Sequence, residues 1–221
     1  MTNAMSHSFT FVRHGLSIAN KNGIVQGQMD YPLSEEGIEQ SEALAAYWVK
    51  NAMSFDLIIA SPLARAKKTA EIIAGKLGLQ IVFDDQWKER LAGSAQGMAY
   101  GDVETLLMTR QQPSSHEPLF DEGESEWDLF MRAAAAVQDL VRRPPGRYLI
   151  VAHGAILSAA LRSILGISPP SGRSRPVRIS FENTGYSILD YDSGLARWTL
   201  KTHNLTCHLK NNEYSEDLID E

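Results

Sequence analysis

Phe9-Thr10-Phe11-Val12-Arg13-His14-Gly15-Leu16-Ser17 is an apolar, strand-like run that breaks at an Arg-His-Gly triplet and passes into a helix-like segment. At the carboxyl end of a strand in an open α/β sheet ligands collect. The N-terminus of a following helix offers an anion unpaired N–H groups and the positive end of a dipole. The pattern recurs in Tyr148-Leu149-Ile150-Val151-Ala152-His153-Gly154, where another apolar run ends in His-Gly before a helical stretch. Two strands are therefore expected to deliver two imidazoles to one edge of a sheet. A solitary His-Gly after a strand is ordinarily a structural or capping histidine; the duplication, with arginines nearby, turns the reading toward chemistry.

Other segments supply the rest of such a sheet. Phe55-Asp56-Leu57-Ile58-Ile59-Ala60 reads as a second short strand, ended by Ser61-Pro62 and followed by a helix to Leu77-Gly78. Leu79 to Phe83 reads as a third, leading into Trp87-Lys88-Glu89-Arg90-Leu91-Ala92-Gly93. Ser34-Glu35-Glu36 is an N-cap with first-turn acids before a helix carrying Leu44, Tyr47 and Trp48. Glu124 to Arg143 is an alanine-rich helix stopped by Pro144-Pro145, and the helix after His153-Gly154 ends near Leu165-Gly166. Val177 to Phe181, Tyr186 to Tyr191 and Leu195 to Thr202 alternate like strands, the last two joined as a hairpin at Asp192-Ser193-Gly194. Strands interleaved with helices, then a hairpin, predict an α/β fold: a three-layer α/β/α sandwich around a mostly parallel mixed sheet.

A length of 221 residues predicts one domain over 1–221. It is expected to carry a lid-like insertion at about 97–125, with a short helix from Asp102 to Thr109, and a fraying acidic tail at 213–221. Hydrophobic residues at 43 % and charged residues at 22 % are those of a globular protein. A net charge of −6 argues against nucleic acid or an anionic membrane as partner, so any anion site must be built locally by arginines in a cleft. Cys207 is the sole cysteine, which excludes an intramolecular disulfide and a Cys-based zinc site. His203, Cys207 and His208 read as scattered surface residues on a hairpin and tail rather than a metal cluster. Neither a signal pattern nor a long apolar run is present, so a cytoplasmic protein is the expectation, with a small-molecule partner and homodimerisation left open.

Hydrolysis of a phosphomonoester demands on the order of 20 kcal/mol of transition-state stabilisation. That calls for a nucleophile, cations on the phosphoryl oxygens and an acid for the leaving oxygen. A neutral imidazole serves as nucleophile, and arginines beside it both fork onto phosphate and disfavour the imidazolium. Arg13-His14 fits that demand. Arg65, in Ser61-Pro62-Leu63-Ala64-Arg65-Ala66-Lys67-Lys68-Thr69, is expected on the first turns of a helix at the same sheet edge, with Lys67 and Lys68 facing water. Glu89, beside Trp87 and Leu91, is expected to be a carboxylic acid kept protonated by partial burial; flanked by Lys88 and Arg90, it reads equally as a surface ion-pair partner.

These residues together resemble the histidine phosphatase superfamily, the phosphoglycerate mutase-like proteins with an Arg-His-Gly signature. The resemblance spans nearly the whole chain. It rests on Arg13-His14-Gly15, Ser17 and Asn20; Gln26-Gly27 through Asp30 and Pro32-Leu33-Ser34 to Gly37; Ser61-Pro62 with Arg65 and Thr69; Glu89; Gly123-Glu124-Ser125; and Ala152-His153-Gly154. It implies His14 as phosphorylated nucleophile, Arg13, Arg65 and His153 as the phosphate pocket, and Glu89 as proton donor and then base. Asn20, Ser17, Gln26, Gly27, Arg90 and Gly154 are the implied substrate-binding residues. No metal and no cofactor is implied.

Departures from the family pattern bear on the reaction. Leu16 stands where many members carry Glu, and Ala19 where many carry Trp, which predicts an uncharged rim around Leu16, Ala19 and Ala92. The mutases carry Tyr in a Glu-Arg-x-Tyr-Gly segment, where this chain has Ala92, and place adjacent arginines in the lid, where this chain has Arg110 alone. The reading is therefore a metal-independent phosphatase acting on a sugar phosphate or phosphoglycerate-type metabolite. The alternatives are a 2,3-bisphosphoglycerate-dependent mutase and a non-catalytic phosphate-binding protein on the same fold.

Overall fold

A computed structural model describes residues 6–109, 114–169 and 177–209. In chain order the elements are β1 (Ser6–Arg13), α1 (Ile18–Lys21), α2 (Glu35–Lys50), β2 (Leu57–Ala60), α3 (Ala64–Leu77), β3 (Ile81–Phe83), α4 (Tyr100–Thr109), α5 (Glu126–Val141), β4 (Arg147–Ala152), α6 (Gly154–Leu165), β5 (Tyr186–Asp192) and β6 (Arg197–Leu205). The strands form one six-stranded sheet in the order β3-β2-β4-β1-β5-β6. β1, β2, β3 and β4 run parallel, whereas β5 pairs antiparallel with β1 and β6 antiparallel with β5. This is the α/β sandwich with a mostly parallel mixed sheet that the sequence predicts.

Alternation along the central strands sorts side chains into two cores, because successive residues of a strand point to opposite faces. Phe9, Phe11, Ile150 and Ala152 pack with Leu129, Ala133, Val137 and Leu140 of α5 and with Ile156, Leu157 and Ala160 of α6. Val12, Leu149, Val151 and Ile58 pack with Leu44, Ala45 and Trp48 of α2 and with Ala66, Ala70 and Ile73 of α3. The helices start where their caps dictate. Ser34 accepts from the Gly37 N–H at 3.1 Å, and Ser125 forms a capping box with Asp128.

Several boundaries differ from expectation. The third strand shortens to Ile81–Phe83, α4 begins at Tyr100, α5 occupies Glu126–Val141, and the last strand is displaced to Arg197–Leu205. Val177 to Phe181 alternates like a strand but joins no ladder. The physical reason lies in its carbonyls: Val177 O accepts from Arg162 Nη2, Ile179 O from Ser158 Oγ and Phe181 O from Arg13 Nη1. Side chains thus hold the acceptors that a neighbouring strand would need. Arg110 and the acidic tail at 213–221 lie outside the described residues.

Candidate active site

The register of β1 on β4 pairs Arg13 with Ala152, so His14 and His153 leave the sheet side by side at its carboxyl edge. Their rings lie edge to face with centroids 5.0 Å apart, and both side chains are buried. His14 Nδ1 lies 2.7 Å from Gly15 O. A carbonyl can only accept, so the proton sits on Nδ1 and Nε2 carries the lone pair. Arg65 Nε then donates to Nε2 at 3.2 Å. Burial above all, followed by the charges of Arg65 and Arg13, holds the His14 imidazole well below its ordinary protonation range, against the opposing bond to Gly15. Glycine at position 15 is required by close approach: a Cβ there would sit 2.3 Å from Gly37 O.

His153 is depressed in the same direction by burial first, then by Arg65, His14 and Arg13. Its Nε2 lies 2.7 Å from Ser61 Oγ, at the end of β2, while Nδ1 is buried without a partner. Arg65 is 1 % exposed and fully engaged, giving Nη1 to Met29 O at 3.0 Å and Nη2 to Gly27 O at 2.8 Å. Arg13 gives Nη1 to Phe181 O at 2.7 Å, and its Nε is buried without a partner. Lys67 and Lys68 face water, as expected.

Glu89 sits differently from the apolar environment that Trp87 and Leu91 suggest. Its carboxylate lies at the N-terminus of α6, where Oε2 accepts from Ala155 N at 3.2 Å and Oε1 from Ile156 N at 3.2 Å; Oε1 also accepts from Arg90 N at 2.8 Å. Backbone amides and a helix dipole, rather than hydrophobic side chains, define its surroundings. Glu89 is not a surface ion-pair partner of Lys88 or Arg90: Lys88 pairs with Asp85, and Arg90 forks onto Glu126 at 3.0 and 2.7 Å.

A cavity of about 200 Å³ opens onto His14, bounded by Arg13, Arg65 and Glu89 and by Asn20, Gln26, Gly27 and Arg90 of the sequence-predicted binding set. Ser17 does not line it. Ser17 caps α1 by accepting from Asn20 N at 3.0 Å and donates to Gln26 Oε1 at 2.8 Å, so it supports the wall from behind. Gly154 also stays off the wall, and a Cβ there would lie 3.7 Å from Arg13 Nε. His153 stands behind His14 without lining the cavity. Of the expected uncharged rim, Ala92 is on the wall, whereas Leu16 and Ala19 are not: Ala19 is the buried residue of α1, and the Leu16 backbone bonds Gln40 and Ser34. Tyr100, the first residue of α4, completes the wall and accepts from Asn20 Nδ2 at 3.2 Å.

Supporting residues escape the sequence reading. Arg132 of α5 gives Nη1 to Gln86 O and Lys88 O, both at 2.7 Å, and Nη2 to Glu89 O at 3.2 Å, so it fixes the backbone that carries Glu89. Glu124 clamps Arg132 and also accepts from Leu91 N at 2.8 Å. Asn183 donates to His14 O at 2.9 Å, and Thr184 N donates to Arg13 O at 3.0 Å. Only Glu124 carried a signal, through Gly123-Glu124-Ser125; Arg132 and Asn183 act through contacts distant in sequence. Among the described residues, no three His, Cys, Asp or Glu side chains are grouped to hold a metal ion.

A buried imidazole with an unprotonated Nε2, set beside two guanidinium groups at the carboxyl edge of a parallel sheet, defines an α/β protein with a histidine site that attracts anions. The chain belongs to the histidine phosphatase superfamily (branch 1), whose family model matches residues 9–206. It is 35 % identical over 198 residues to the "uncharacterized phosphatase PhoE" of Bacillus subtilis (strain 168), covering 90 % of this chain and 94 % of the relative. It is 32 % identical over 205 residues to the "probable phosphoglycerate mutase GpmB" of Yersinia pestis (strain Pestoides F), covering 90 % and 93 %. Among solved structures, the phosphoserine phosphatase of Entamoeba histolytica, in complex with 3-phosphoglyceric acid, superposes with a TM-score of 0.75 at 25 % identity, over 92 % of this chain and 99 % of that one. No helix among the described residues is long and apolar enough to cross a membrane.

Proposed function

We propose that the chain is a metal-independent phosphomonoesterase working through a phosphohistidine on His14. The observation that carries this reading is the Nε2 lone pair of a buried, neutral imidazole with Arg65 Nε only 3.2 Å away. Nε2 attacks phosphorus in line with the leaving oxygen, forming the N–P bond as the P–O bond breaks. As the lone pair is used, Arg65 Nε transfers its hydrogen bond to a phosphoryl oxygen. Arg13 Nε, a buried donor without a partner on a residue of the cavity wall, supplies a further bond to the phosphoryl group. Glu89 gives a proton to the departing alcohol, then takes one from the water that attacks the phosphohistidine; inorganic phosphate leaves and His14 is restored.

A small phosphorylated metabolite of the sugar phosphate or phosphoglycerate type is the proposed substrate, supported by the phosphoserine phosphatase neighbour that binds 3-phosphoglyceric acid. The GpmB relative favours a mutase as second reading; Ala92 on the cavity wall, in place of the mutase Tyr, weighs for the phosphatase. We assign the 97–125 segment the role of lid over a single domain, because its Tyr100 bonds Asn20 across the cavity mouth. A cytoplasmic location accompanies this reading. The test is phosphate release, with chelator present, from a panel of sugar phosphates, phosphoglycerates, phosphoamino acids and nucleotides. Release from one or a few members upholds the phosphatase; primer-dependent interconversion of phosphoglycerates without net release replaces it with the mutase.

A further inference from the structure

We propose that a second, larger cavity beside the catalytic one receives the substrate's leaving group, and that this alcohol is amphipathic, with an apolar body and a second anionic group. The inference rests on the phosphatase reading and narrows its substrate class. The catalytic cavity, at about 200 Å³, is below the roughly 300–1,000 Å³ typical of a site that encloses an organic ligand. It has room for a phosphoryl group and a few attached atoms. The neighbouring cavity measures about 470 Å³, within that range.

The two cavities share a wall. Arg90 lines both, and Ala155, on the wall of the larger, gives its N–H to Glu89 Oε2 on the wall of the smaller at 3.2 Å. Glu89 is the proposed proton donor to the leaving oxygen, so the alcohol emerges next to the larger cavity. Arg90 is tied there by its fork onto Glu126, which neutralises that carboxylate within the cavity. Its Nε stays buried without a partner.

The lining specifies the chemistry of the occupant. Leu129 and Phe130 of α5, Ala159 of α6 and Ile179 give an apolar floor, while among the described lining residues Arg162 and Arg178 add two guanidinium groups against one carboxylate, the already paired Glu126. Arg162 donates to Val177 O, which fastens α6 to the segment bearing Arg178. In a chain of net charge −6, this local excess of arginine favours an anion at the far end of an apolar body. A sugar phosphate, polar throughout, matches that lining poorly.

The experiment compares two synthetic substrates, phenyl phosphate bearing a para-carboxyethyl arm and its methyl ester, which differ in one distal charge. The expected result is a kcat/KM about fivefold higher for the acid, the size of a partly exposed ion pair, carried mainly by KM. In Arg178→Ala that ratio should collapse toward one. Ala159→Leu, which fills part of the cavity, should raise KM for both arylphosphates. A wild-type ratio of one, or a ratio unchanged in Arg178→Ala, overturns the proposal. Calorimetry of the alcohol product, 3-(4-hydroxyphenyl)propionate, reads the subsite without turnover: binding weakened in Arg178→Ala upholds it, and absent or unaltered binding refutes it. If neither ester is hydrolysed by the wild type, the phosphatase reading has failed, and calorimetry alone decides the cavity.

Discussion

Arg65 Nε donates to His14 Nε2 across 3.2 Å, and the same guanidinium holds Gly27 O and Met29 O, so one buried side chain fixes both the His14 ring and the segment from Gly27 to Met29. The bond selects the tautomer with Nε2 free of a proton, and burial first, then the charges of Arg65 and Arg13, keep it so. Arg65→Lys retains charge but loses the fork; kcat should fall about 10²- to 10³-fold, the cost of an electrostatic donor in a water-excluded site. Arg65→Met removes the charge, so the His14 imidazole should titrate at higher pH than in the wild type by NMR, and two loop carbonyls lose a buried donor at a cost of about 1–3 kcal/mol each.

Glu89→Gln keeps an amide oxygen for the α6 N-terminus but cannot transfer a proton. For alkyl phosphates kcat should drop about 10²-fold or more. For p-nitrophenyl phosphate, whose leaving group needs no proton, formation of the phosphoenzyme should be nearly unimpaired. Equal losses on both substrates in single-turnover kinetics would remove Glu89 from the acid role.

Gly27 adopts φ +53°, and a Cβ there would lie 2.2 Å from Gln96 Oε1. Gly27→Ala should therefore cost about 1–3 kcal/mol in urea unfolding. It also displaces the Gln96 oxygen that accepts from Gln28 N at 2.8 Å. Because Gly27 O anchors Arg65, kcat/KM should fall along with stability.

Folding depresses the protonation of three buried imidazoles, His14, His153 and His208, the last to about 4 and, unlike His203 and Cys207, not at the surface where the sequence placed it. In each, the unfolded chain binds more protons below its ordinary value near 6.5, so stability is greatest above that pH and falls as pH falls. For His208, whose Nε2 lies 2.8 Å from Thr184 Oγ1, the window runs from about 6.5 down to about 4. His208→Gln should flatten the loss of unfolding free energy between those pH values; an unchanged slope would contradict the assignment.

The parallel sheet and the pairing of His14 with His153 were legible because each imidazole follows its own apolar strand, and the sheet register does the rest. Arg65 was legible through its place one turn into a helix at the same edge. The environment of Glu89 was not: its sequence neighbours, Lys88 and Arg90 with Trp87 and Leu91 beyond them, point to an ion pair or an apolar pocket, while its partners, Ala155 and Ile156, come from a helix more than sixty residues on. Ser17 read as a contact and proved a cap, since the same hydroxyl chemistry serves both. Val177 to Phe181 read as a strand because alternation reports side-chain facing, whereas ladder formation depends on carbonyls that Arg162, Ser158 and Arg13 occupy.

The most direct measurement is mass spectrometry of the protein quenched at alkaline pH during turnover. A phosphoryl group on the peptide containing His14, lost on acid treatment and absent from His14→Ala together with phosphate release, is the expected result. Steady phosphate release by His14→Ala, or a phosphoryl group trapped on any other residue, would contradict the phosphohistidine mechanism.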